Sequence, residues 1–106
     1  MPKYLLQVNY TLDGVRGVLS KGGSARKAAA SAVAESVGGS LESIYFAFGS
    51  TDVFAIADLP DNAAAAAASM TLASSGATTS KVTVLLTPED VDQAVKKTAS
   101  YTPPGR

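Results

Sequence analysis

The chain has 106 residues, the size of one small domain, with 46% apolar and 17% charged residues and nine basic against nine acidic side chains. That balance excludes a dedicated nucleic-acid binder or a polybasic membrane-surface protein, both of which rely on a net positive field. With no cysteine and no histidine, disulfide scaffolds, thiolate zinc sites, imidazole metal ligands and His-based triads are excluded, and neither metal nor cofactor is expected.

No apolar targeting segment precedes the first strand pattern, and the longest wholly apolar run, Ala63 to Ala68, is too short to cross a bilayer. A cytoplasmic protein without membrane or nucleic-acid partners is expected. Tyr4 to Tyr10 alternates, placing Tyr4, Leu6, Val8 and Tyr10 on one face and Leu5, Gln7 and Asn9 on the other. Thr11 can cap a helix in which Leu12, Val15, Val18 and Leu19 recur at helical spacing. Gly22-Gly23 breaks it, and Ser24 can cap a second helix with the apolar stripe Ala29, Ala30, Val33, Val37, closed by Gly38-Gly39.

Two strand patterns follow, Leu41 to Phe48 and Asp52 to Asp58, joined by Gly49-Ser50-Thr51 as a tight antiparallel hairpin. Asp61 caps an alanine-rich helix that runs to Ser75 and stops at Gly76. Lys81 to Leu86 alternates again, and Thr87-Pro88-Glu89-Asp90 is a helix start: a cap, a proline at the first helical position, acids in the first turn. Residues 1–97 are read as one domain and 98–106 as a flexible tail.

The order β-α-β-β-α-β predicts an α+β fold, a ferredoxin-like antiparallel sheet with its helices on one face. The middle strands are largely apolar on both faces: Ile44, Phe46 and Phe48 oppose Tyr45 and Ala47, and Phe54 and Ile56 oppose Val53, Ala55 and Ala57. A solvated face would alternate to polar residues. A second copy of the same face is therefore expected to cover it, the alternative being the C-terminal helix folding across. At about 800 Å² per partner, such a contact has the size of a standard specific interface.

Tyr4-Leu5-Leu6 leading to Tyr10-Thr11 and Gly14, Gly38-Gly39 followed by Tyr45, Phe48-Gly49-Ser50-Thr51-Asp52-Val53, the Leu59-Pro60-Asp61 turn, Gly76 and Leu85-Leu86-Thr87 together resemble the GYD-domain family. The likeness runs over about residues 3 to 95. It implies a homodimeric α/β barrel of two ferredoxin-like halves and no established general activity; relatives on that architecture include ligand binders, cofactor-free oxygenases and isomerases. The family commonly has an aromatic directly before the aspartate, where this chain has Thr51.

Candidate ligand contacts are Gln7 and Asn9, amides on an otherwise apolar strand face, unless they bond across the dimer axis or reach solvent. Tyr45, an apolar body with a polar tip, either lines a pocket or packs in the core. Asp52 is read as a turn-bonding residue or, if buried beside Tyr45, as a general base; lacking histidine, the chain offers Asp52 and Tyr45 as its best-placed acid/base pair. Ser24, Arg26 and Lys27 follow a glycine pair and could hold an anion, or form an ordinary solvated loop. Arg26 falls on the stripe of Ala29, Ala30 and Val33. Gly14 and Gly17, three apart, are expected to let the first helix approach the sheet. The expected function is a homodimer binding a small apolar or aromatic molecule, or serving as a regulatory or assembly module. Alternatives are a cofactor-independent enzyme using Asp52 and Tyr45, and a structural adaptor with no pocket.

Overall fold

The computed structural model describes residues 1–47 and 49–106; Phe48, which the sequence groups with Ile44 and Phe46, lies outside the described residues. The elements are β1 (Lys3–Tyr10), α1 (Leu12–Ser36), β2 (Ser40–Phe46), β3 (Val53–Asp58), α2 (Asn62–Ser74), β4 (Thr78–Leu85) and α3 (Pro88–Val95). The strands form one sheet in the order β2-β3-β1-β4, every neighbouring pair antiparallel. This is the expected ferredoxin-like α+β arrangement, in which each βαβ crossover spans one intervening strand.

Local chemistry sets the helix ends. Thr11, Asp61 and Thr87 cap the three helices, and Thr87 exchanges bonds with Asp90 in a full capping box. Within α1 the two expected helical segments follow one another and are broken at Gly22, which leaves helical geometry at φ 80° and ψ 176°. The break falls at the first glycine of the Gly22-Gly23 pair, and Ser24 lies within the helical residues that follow it rather than capping them. At the C-terminus of α1, Gly38 adopts φ 87° while the Gly38 and Gly39 N–H groups donate to Glu35 and Ala34 carbonyls, the paired bonds of a Schellman motif.

Tyr4, Leu6 and Val8 of β1 and Val53, Ala55 and Ala57 of β3 form the core with Ala34, Leu59 and Ala65. In β2, Leu41 and Ile44 both pack against this core despite their odd spacing. A bulge between Leu41 and Ser43 supplies the extra residue that returns both to one face. The bulge also brings Glu42 to Lys3, whose Nζ donates to Glu42 at 2.6 Å and to Asp58 at 2.9 Å. Lys3 is consequently held above its ordinary pKa of 10.5, chiefly by the Glu42 bond and then by Asp58.

Strand β4 starts earlier than its alternation predicts, because Thr78, Thr79 and Ser80 pair with Tyr10, Asn9 and Val8. Buried Thr78 donates its hydroxyl to the Leu72 carbonyl at 3.0 Å. The link between β2 and β3 is longer than the expected three residues and is closed by the Ala47 N–H donating to the Asp52 carbonyl at 2.8 Å. Every residue of α3 is exposed. With a radius of gyration of 16.9 Å, against ~13 Å for a compact chain of this length, the C-terminal arm stands clear of the body.

Candidate functional site: a cavity under α1 and an open sheet face

The helix-covered side of the sheet holds a partly open cavity of about 100 Å³. Its floor comprises Leu6, Val8, Tyr10, Ile44, Val53 and Ala55, and its roof Ala29, Ala30, Val33 and Ala34 of α1 with Ala68 and Leu72 of α2. Short roof side chains cause the space. Alanine lets a helix approach the sheet but does not reach into the gap between two helices, so a void too large for close packing persists there.

One charged side chain lines this cavity, that of Arg26. Residues Arg26, Ala29, Ala30 and Val33 share one face of α1 by helical spacing, and Arg26 is half-buried. Both ion pairs among the described residues belong to Lys3, so no carboxylate neutralises Arg26 there. Ser24 and Lys27, proposed with it as an anion site, are exposed and do not line the cavity. The sequence signal for the cavity was this arginine on an alanine stripe; Tyr10 and Thr78 carried none.

Asn9 and Asp52 are brought together. The Asp52 N–H donates to Asn9 Oδ1 at 2.9 Å, and Asn9 Nδ2 donates to the Ser50 carbonyl at 3.0 Å. The Asp52 carboxylate accepts the Tyr10 N–H at 2.9 Å. The Asp52 N–H is shared with the Val8 carbonyl at 3.1 Å, so these side-chain bonds extend the β1–β3 pairing beyond Val53 and fix Tyr10, a wall of the cavity. The Asp52 carboxylate therefore bonds across to the backbone of β1, while its carbonyl closes the β2–β3 link. Thr51, in the position where an aromatic is usual, is half-buried beside it.

Gln7 and Tyr45 are on the opposite side of the sheet. The register aligns Tyr45, Phe54, Gln7 and Lys81 in one row across the four strands, and Ser43, Ile56, Leu5 and Thr83 in the next. Tyr45 is 71% exposed and Phe54 38%. The apolar surface is thus a stripe over β2, β3 and β1 rather than the whole face; toward β4 it gives way to Thr79, Lys81 and Thr83. No side chain of α3 covers it. A second, more open groove of about 240 Å³ lies between α2 and β4, lined by Tyr4, Asn62, Ala65, Ala66, Ser69, Val82 and Val84. The Tyr4 hydroxyl donates to Asn62 at 2.7 Å at its base.

Among the described residues there is no cluster of three or more acidic side chains able to hold a metal ion, and no helix long and apolar enough to cross a membrane. A four-stranded antiparallel sheet with two helices on one side, a small apolar cavity between the layers and the other side open defines a ferredoxin-like α+β domain. The family model described as GYD domain matches residues 4–95, most of the chain, and the protein belongs to the GYD-domain family. Neither a curated protein nor a solved structure matches it significantly.

Proposed function

We propose that the protein is a homodimer, paired through its open sheet faces, that binds a small apolar molecule in the cavity between α1, α2 and the sheet. The observation that carries this reading is the cavity itself: about 100 Å³ of partly enclosed space with an almost wholly aliphatic wall. An apolar cavity of about 150 Å³ stays dry and takes up benzene or xenon, because water gains too few hydrogen bonds there. The space here is smaller and suits a compact aliphatic body.

Pairing follows from the open stripe. If about half of a ~1,600 Å² interface is apolar, its burial stabilises the pair by on the order of 20 kcal/mol. Association costs roughly 4–15 kcal/mol, so the balance favours a dimer. In this arrangement Tyr45 and Gln7 belong to the interface, with the glutamine amide bonding across it, while Asn9 and Asp52 hold the Tyr10 wall of the cavity.

Light scattering at micromolar concentration tests the dimer, with the expected mass twice the 10.7 kDa of the chain. Phe54→Glu, which sets a carboxylate in the middle of the stripe, is expected to return the monomer. Xenon titration followed by amide NMR shifts tests the cavity, with changes expected at Leu6, Ala30 and Val33. Shifts scattered over the surface, or none, would remove the binding reading, and a monomer in the unmutated protein would remove the pairing.

A further inference from the structure

We propose that the occupant of the cavity is a short branched aliphatic carboxylate, its hydrocarbon body in the space under α1 and its carboxylate paired with the guanidinium of Arg26. This rests on the ligand-binding reading above and specifies its chemistry. Two features of the wall select the class. The aliphatic wall surrounds a space of about 100 Å³, smaller than the ~150 Å³ apolar cavity that takes up benzene, which suits a compact hydrocarbon body such as an isobutyl group. Its polarity comes from three side chains, Arg26, Tyr10 and Thr78, and the Thr78 hydroxyl proton is committed to the Leu72 carbonyl.

Arg26 occupies a position where a sheet-facing helix ordinarily carries an apolar residue. A guanidinium partly withdrawn from water against alanine and valine loses hydration that an anion can restore. Among the described residues the chain supplies no such anion, since both ion pairs are those of Lys3. A carboxylate matches the planar fork of arginine with paired charge-assisted bonds. An acid with a short apolar body satisfies the void and the charge together; a neutral alcohol or amide satisfies only the void.

The experiment compares isovalerate with isovaleramide, which have the same shape and differ in charge, by NMR titration of the full chain near neutral pH. Isovalerate is expected to shift the amides of Ala29, Ala30 and Val33 and to bind at least about tenfold more tightly than the amide, as loss of a charge-assisted pair predicts. Arg26→Gln is expected to abolish that preference. Ala30→Leu, which places an isobutyl side chain in the cavity, is expected to abolish binding of both. Equal binding of acid and amide by the unmutated chain, as when Arg26 only lays its stem on the wall and keeps its head in water, overturns the carboxylate assignment and leaves the apolar-ligand reading intact. The same holds if the preference survives Arg26→Gln. If neither probe nor xenon shifts the cavity amides, both readings fall. If isovalerate still binds Ala30→Leu unchanged, its site is on the surface and the proposal fails.

Discussion

Gly14 and Gly17 look equivalent in the sequence but are opposite in the fold, which makes a controlled test of how α1 is seated. A Cβ added to Gly14 would meet the Ala77 carbonyl oxygen far inside the 3.0 Å that real Cβ atoms respect, with Tyr10 Cδ1 at 3.0 Å on its other side. That same carbonyl accepts the Thr11 N–H at 2.9 Å, and the Thr11 hydroxyl donates to the neighbouring Gly76 carbonyl at 2.8 Å. Making room in Gly14→Ala must therefore lift the start of α1 from the α2–β4 connection. Overpacking costs about 1–3 kcal/mol, a weakened Thr11 bond about 1 kcal/mol more, and the better helix propensity of alanine returns about 1 kcal/mol. The net expectation is destabilisation by about 1–3 kcal/mol. At Gly17 nothing lies within 4 Å of the added Cβ, so Gly17→Ala should stabilise by about 0.5–1 kcal/mol. Urea unfolding followed by circular dichroism, at one fixed protein concentration so that association does not move the midpoint, reads both. Equal shifts, or a neutral Gly14→Ala, would refute the close approach of α1 to the α2–β4 connection.

Leu59→Ala should cost about 2–5 kcal/mol, because this leucine is 1% exposed in the core and its loss leaves a cavity; denaturant midpoints check it. Asp52→Ala removes the acceptor for the Tyr10 N–H and should cost about 1–3 kcal/mol, as for an orphaned partly buried donor, with faster hydrogen exchange at Tyr10. For Lys3, the folded-state pKa is raised by Glu42 first and Asp58 second, so its stabilising contribution is present at neutral pH and is lost as pH rises through a value above 10.5. Side-chain NMR titration should show that midpoint falling more in Glu42→Gln than in Asp58→Asn.

Much of the fold is legible in the sequence because it is written in local chemistry. Capping at Thr11, Asp61 and Thr87 depends on a side-chain oxygen a few residues from an unpaired N–H, and the stops at Gly38 and Gly76 on a positive φ that glycine adopts without strain. The strands of β1 and β3 follow from alternation alone. The site was less accessible. Asn9 and Asp52 stood out as polar groups near a sheet, yet their mutual bonding depends on the β1–β3 register, which adds across 43 residues of chain. The bulge that turns Leu41 and Ile44 to one side is invisible to a strict period of two.

By itself the sequence determined the kinds of element, their order and the caps and glycines that start and stop the helices, since each of these follows from steric and hydrogen-bonding preferences within a few residues. The tertiary structure alone decided that Tyr45 and Gln7 look away from the helices, that Arg26 borders an apolar cavity, and that one of two similar glycines is pressed against a backbone oxygen. Those outcomes depend on crossover connections and strand register, which bring together groups distant in the chain and have no counterpart in local periodicity.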